Sequence, residues 1–212
     1  MVPEQAAHLI DRAMRIAKAT RSPTCIIVPN DVQELPRARR RGLTGRWRRR
    51  RRPFLPRPHV VPDDLALRQA AAILDAGEKV ALLVGQGAKG AFTEIEQPAE
   101  LLGAGAARAL NGRAVLPDDL PWVTGPIGLL GTRPSCDLME GCDTLLMVGS
   151  NVPYSEWLRE PGRARGVQID IDARLIGDRY PMEVNLMGDA AQKTARRRSS
   201  SSSRCGVSWP SS

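Results

Sequence analysis

Two carboxylates set two residues apart, Asp170 and Asp172, close the apolar run of VQIDIDARLIGDRYP, residues 167–181. In extended chain, residues i and i+2 face the same side, so either carboxylate could accept hydrogen bonds from both hydroxyls of an adenosine ribose. A plainer reading has Asp170 ending a strand and Asp172 capping the turn that follows. Three glycine-marked stretches could hold the rest of a nucleotide. GQGAKG places Gly85, Gly87 and Gly90 at GxGxxG spacing directly after an apolar run. Such glycines let backbone approach a phosphate at a helix N-terminus, or simply make a tight strand-to-helix turn. TGPIGLLGT contains Gly128, Leu129, Leu130 and Gly131, whose exposed amides could cradle a diphosphate or a flat ring, or could form a bare surface loop. GSNVPY supplies Gly149, Ser150, Asn151, Val152 and Pro153, small and polar after another apolar run.

Reacting groups are harder to find. The chain has two histidines, His8 and His59, neither near a nucleophile in sequence. No GxSxG elbow, Walker lysine or histidine-rich metal set is present. Cys25, Cys136, Cys142 and Cys205 lack metal-site or disulfide-framework spacing, which predicts free thiols in a reducing compartment. No catalytic residue and no metal ligand is assigned. The residues describe a holder for a cofactor more clearly than a reacting centre.

The elements that would position these groups alternate in kind. Residues 4–19 carry apolar side chains at helical spacing, and 24–28 read as a short strand cut off by Pro29. From residue 60 order resumes: Asp63 or Asp64 starts a helix that Gly77 ends, and 79–84 form a continuous apolar strand of the kind covered on both faces. A second helix is expected over 93–110, with strands over 113–116, 144–148, 167–171 and 183–187 and a further helix beginning at Asp189. This alternation predicts an α/β fold: an open, parallel, Rossmann-like sheet with helices on both faces.

Charge is concentrated rather than spread. The formal net charge is +8, yet residues 37–58 contain eleven Arg and no acidic residue, leaving −3 for the remainder. Like charges at that density bury nothing, so the segment is expected to be a disordered linker. One Trp and one Phe without aromatic interleaving do not make a nucleic-acid module, and no specific nucleic-acid partner is expected. The Ser/Arg stretch from residue 196 has no periodicity. No secretory leader and no apolar run of membrane-spanning length are read, so a cytoplasmic location is expected.

PDDLPWVTGPIGLLGTRPS, CDTLLMVGSNVPYSEW and ARGVQIDIDARLIGDRYPMEVNLMGDA resemble the central domain of thiamine-diphosphate-dependent enzymes, in the branch of pyruvate oxidase, quinone-linked pyruvate dehydrogenase and acetolactate synthase. PEQAAHLIDRAMRIAKATRSPTCIIVPNDVQ resembles the end of their pyrimidine-binding domain. The resemblance divides the chain into a pyrimidine-domain remnant (1–36), an Arg-rich linker (37–59), a central domain (60–192) and a Ser/Arg tail (193–212). It implies thiamine diphosphate and Mg²⁺, with FAD in the oxidase and synthase members. Residues 128–131 would then lie against the flavin, 149–153 would contact the diphosphate or ribityl part, and Asp170 or Asp172 would hold the adenosine ribose. The family's activating glutamate and its GDG metal motif are not found in the 212 residues, so thiamine diphosphate and Mg²⁺ are not expected to bind this chain alone. The reading is a truncated 2-oxo-acid-decarboxylating enzyme, inactive alone, whose linker and tail look like frame-shifted sequence or a shortened gene copy. It would need self-association or a partner supplying the missing domain. The alternative is a non-catalytic FAD- or nucleotide-binding domain within an assembly.

Overall fold

The structure, a computed structural model, describes residues 3–36 and 59–191. The Arg-rich segment, the Ser/Arg tail and nearly all of the helix expected from Asp189 lie outside those residues. The chain divides into two compact units, residues 1–58 and 59–212.

In the first unit, α1 (Ala6–Thr20) stops at Arg21, whose φ of +51° breaks the helical path. The Thr24 hydroxyl donates to the Ala13 carbonyl (3.1 Å), laying the following segment along α1. Residues 24–28, expected as a strand, form no strand and join no ladder among the described residues. A strand needs a neighbour for its backbone groups, and among the described residues the apolar CIIV stretch has none in a ladder. Pro29 then opens the short α2 (Asn30–Gln33). No residue of either helix is buried, and Ile10, Met14 and Ile27 are exposed.

The second unit holds a six-stranded sheet. Asp63 caps α3 (Asp64–Ala76) by accepting from the Leu65 and Ala66 amides, and Gly77 ends it. Then follow β1 (Val80–Val84), α4 (Phe92–Leu102), β2 (Gly105–Arg108), β3 (Val123–Pro126), α5 (Arg133–Gly141), β4 (Thr144–Val148), β5 (Arg165–Asp170) and β6 (Val184–Met187). All pairings are parallel and the strand order is β3-β2-β1-β4-β5-β6. This is the doubly wound order, with the winding reversing between β1 and β4.

Alternate side chains of the central strands feed two cores. Leu82, Val84, Leu146, Val148, Val167 and Ile169 pack with Ile73 of α3 and Ile95 of α4. Ala81, Leu83, Leu145 and Met147 pack with Leu138 and Met139 of α5 and with Tyr180. Each fully buried leucine contributes about 1.5–3 kcal/mol relative to an exposed one, which is why five-residue runs buried on both faces (β1, β4) anchor the sheet.

Three local expectations are corrected. The helix expected over 93–110 ends at Leu102, because Gly103 turns left-handed (φ +60°), and GAAR becomes the buried strand β2. Its small residues admit α5: a Cβ on Gly105 would lie 2.8 Å from Leu138 Cδ1. Residues 113–116 form no strand; their backbone turns inward to meet the Arg108 side chain. The third strand is instead VTGP, which overlaps the stretch expected as a glycine-rich loop, and α5 is a helix that the sequence pattern does not predict.

Candidate functional site

The carboxyl ends of the strands carry every sequence-singled group of the second unit. At the winding reversal, the loops after β1 and β4 touch directly. The Gly85 amide donates to the Val148 carbonyl and the Gly87 amide to the Gly149 carbonyl, each at 2.9 Å. Gly149 has φ +57°, and a Cβ there would lie 2.5 Å from the Gly87 carbonyl carbon and 2.6 Å from the Ala88 nitrogen. The Ala88 and Lys89 amides bond back to Gly85 and Gln86 carbonyls. GQGAKG is therefore a closed strand-to-helix turn. Its glycines permit backbone-to-backbone contact, and four of its amides donate within the protein.

The loop after β3 is of another kind. Gly128 has φ +112°, and nothing lies within 4 Å of where its Cβ would stand. The Gly131 amide donates to Gly128 O (2.7 Å) and the Thr132 amide to Pro126 O (2.9 Å), closing a firm turn. The Thr132 hydroxyl donates to Thr124 O (2.7 Å), and the fully buried Ser135 hydroxyl lies 2.9 Å from that of Thr124. These bonds pin the start of α5 to β3. Leu129 and Leu130, at the tip, are 82% and 79% exposed. The turn thus presents open backbone beside two uncovered apolar side chains, a surface suited to a flat ring.

After β4, Ser150 and Val152 are buried, Asn151 is half-buried and Pro153 is exposed. Asn151 Oδ1 accepts from Arg179 Nε (3.2 Å). At the end of β5, Asp170 is 8% exposed and its Oδ1 accepts from the Asp172 amide (2.9 Å). Asp172 accepts from the Arg174 amide (3.1 Å), starting a 3₁₀ turn, and pairs with the Arg174 guanidinium through both oxygens (2.9 and 2.7 Å). That pairing holds its carboxyl well below the usual range, at about 2. The capping role foreseen for Asp172 is therefore present. Asp170 is the buried carboxylate of the two. From β3 to β5 there are four inter-strand steps of about 4.8 Å, so the outer loops stand roughly 19 Å apart, a span for an extended dinucleotide rather than a small metabolite.

Two functional-edge residues were missed in sequence. Arg108, at the carboxyl end of β2, is 1% exposed. Its Nη1 donates to Arg113 O (3.1 Å) and Leu116 O (2.7 Å), and its Nη2 pairs with Asp118 Oδ1, while Nε is buried with no partner among the described residues. It shapes a hollow of about 680 Å³ lined by Phe92, Arg113, Val115, Leu116, Pro117 and Asp118. Gln168, 2% exposed in β5, bonds to both neighbouring loops. In each case the signal was a polar side chain within a run buried on both faces.

With the edge described, comparison with known proteins decides the family. Residues 67–197 match the family described as thiamine pyrophosphate enzyme, central domain. The chain belongs to this family. A Pseudomonas aeruginosa protein assigned as a 2-ketoarginine decarboxylase is 33% identical over 195 residues, covering 90% of this chain and 33% of that one. Pyruvate oxidase of Lactiplantibacillus plantarum is 26% identical over 205 residues, covering 95% of this chain and 33% of its own. A Mycobacterium smegmatis X-ray structure assigned to the thiamin diphosphate-dependent enzymes superposes with a TM-score of 0.54 at 26% identity, over 65% of this chain and 28% of that one. The chain thus spans about a third of the length of these relatives.

Among the described residues no group of three or more His, Cys, Asp or Glu could hold a metal ion. Among the same residues no helix is long and apolar enough to cross a membrane.

Proposed function

We propose that this chain is the central domain of a thiamine-diphosphate-dependent enzyme that decarboxylates 2-oxo acids, and that its carboxyl edge accepts FAD. The single observation that carries the flavin reading is the arrangement of the edge: an open glycine turn with exposed Leu129 and Leu130 after β3, and a buried strand-end carboxylate, Asp170, after β5, in one parallel sheet. In this reading the Gly128, Leu129, Leu130 and Gly131 turn lies against the flavin, and residues 149–153 contact the linking chain. Asp170 accepts from the ribose hydroxyls, while Asp172 orders the turn beside it. The residues act by binding and orienting only. Turnover requires the activating glutamate and GDG motif, which a partner polypeptide or a longer form of the protein would supply.

Calorimetric titration with FAD tests the site. Asp170→Asn should weaken binding by about 1–3 kcal/mol, the scale of a poorly paired buried hydroxyl, and Asp172→Asn should weaken it less. Equal affinity in all three proteins would reject the ribose role, and no binding to well-folded parent would reject the flavin site. The purified chain given thiamine diphosphate, Mg²⁺, FAD and pyruvate should release no CO₂ above background. Reproducible turnover dependent on thiamine diphosphate would overturn the need for a partner.

A further inference from the structure

Gln168 is a buried side chain whose hydrogen bonds reach both loops flanking the buried carboxylate. It sits in β5 between Val167 and Ile169, which face the opposite core, and is 2% exposed. Its Nε2 donates to the carbonyls of Ser150 (3.3 Å), in the loop after β4, and Leu175 (3.2 Å), in the loop after β5. Its Oε1 accepts from the Gly177 amide at 2.8 Å. A primary amide offers two donor hydrogens and an acceptor oxygen, so both of its ends are engaged. Gly177 has φ +73°, and its amide meets Oε1 only while the chain holds that turn.

We propose that Gln168 is a positioning residue that locks residues 149–153 and 172–177 into one rigid edge, so that a nucleotide bound to either loop orders the other. This rests on the nucleotide reading above and deepens it. The two loops share few other ties, the Arg179–Asn151 bond (3.2 Å) being an exposed one. Neither loop is itself helix or sheet over these residues, except for the single 3₁₀ turn Ala173–Leu175. A buried amide that satisfies carbonyls on both sides is strongly held, because breaking it would leave polar groups unpaired away from water. Coupling of this kind is reciprocal: what ligand does to one loop through the amide, the other loop does to ligand.

Gln168→Met keeps the side chain's length and removes all three bonds. Amide hydrogen exchange on the full chain, without ligand, reads the lock directly. The Gly177 amide, which donates to Oε1, should exchange at least about tenfold faster than in parent. Ile73→Val, a core truncation on α3, controls for lost stability and should leave the ratio between this amide and the sheet unchanged. With FAD added, parent should show slowed exchange at Gly177, and Gln168→Met should lose that response and bind about tenfold more weakly. Gln168→Glu gives a second reading. Its carboxylate faces two carbonyls, and protonation restores one donor, so its affinity deficit should shrink between about pH 8 and about pH 5 beyond any change in parent. Unchanged Gly177 protection in Gln168→Met would overturn the lock whatever FAD does. If parent binds no FAD, the nucleotide reading fails and the ligand-ordering role of Gln168 fails with it, even where exchange shows the lock itself intact. An affinity loss equal to that of Ile73→Val would reduce Gln168 to a packing residue and overturn the proposal.

Discussion

Gly149→Ala should be among the most damaging one-methyl changes in this protein, and the structure separates its two causes. The first is conformational. Gly149 sits at φ +57°, where an L-residue crowds its own carbonyl at a cost of about 1–2 kcal/mol. The second is steric. The added Cβ would stand 2.5 Å from Gly87 C, 2.6 Å from Ala88 N and 2.7 Å from Gly87 Cα, all backbone atoms fixed by the turn's own hydrogen bonds. Relief requires one loop to move by roughly an ångström, and overpacking of that kind costs about 1–3 kcal/mol. The sum is about 2–5 kcal/mol. Gly162→Ala supplies the reference: its φ is +82°, and no atom lies within 4 Å of its Cβ position, so only the first cause applies. The difference between the two variants, about 1–3 kcal/mol, isolates the loop contact. In thermal unfolding followed by circular dichroism it should appear as a gap of roughly 4–12 °C, at about 4 °C per kcal/mol for a unit of this size. Equal midpoints for the two variants would show that the loops after β1 and β4 do not touch, and the phosphate-loop reading of GQGAKG would return.

Two further outcomes follow from local electrostatics. Burial raises the Cys142 thiol to about 11, so about one molecule in a thousand carries its thiolate at about pH 8; a disulfide reagent should label the exposed Cys25 readily and Cys142 only after unfolding. Asp172, held near 2 by Arg174, is charged in the folded state below the pH at which the unfolded chain protonates it; its pair stabilises above the ordinary carboxylate range, and that contribution fades as pH falls toward 2. Carboxyl-carbon titration by NMR should give the low midpoint in parent and a rise toward the ordinary value in Arg174→Ala, and an unchanged midpoint would refute the pairing.

The parts of the fold legible in sequence are those whose signal is local. β1 and β4 are unbroken apolar runs, and α3 has its capping aspartate and terminal glycine in place. What sequence concealed depends on distant neighbours. GAAR is helix-favouring by composition and is a strand because Gly103 stops α4 and Leu138 of α5 presses on Gly105. VTGP is a half-buried edge strand, with a glycine and a proline where a central strand would carry branched side chains. The α5 start signal is present in RPS, with proline in the first turn, but the whole helix is nine residues long, too short to show a helical period. The site divides in the same way. The carboxylates and glycines could be found by type, whereas their partners could not: Gly87 meets Gly149, 62 positions further along the chain.

That distant contact also decides how the edge must work. In a doubly wound sheet the winding reversal is the usual place for a ligand's phosphate, because there the two loops diverge and leave a crevice. Here the diverging loops are drawn together, glycine against glycine, and the amides that would meet a phosphate donate to Val148 and Gly149 carbonyls instead. In the proposed nucleotide reading, ligand contact shifts outward from the β1 loop. On one side stands the turn of residues 128–131, open and apolar; on the other, the loops around Asp170. Precision on that second side cannot come from the carboxylates alone, since Asp172 is held by Arg174. In the proposal above it comes from the strand beneath them, where one buried amide ties the flanking loops together. The glycine pair fixes where the β4 loop begins, and Gln168 fixes where it goes next. A change at either position should therefore be felt at the same ligand contacts, although neither side chain needs to touch the ligand.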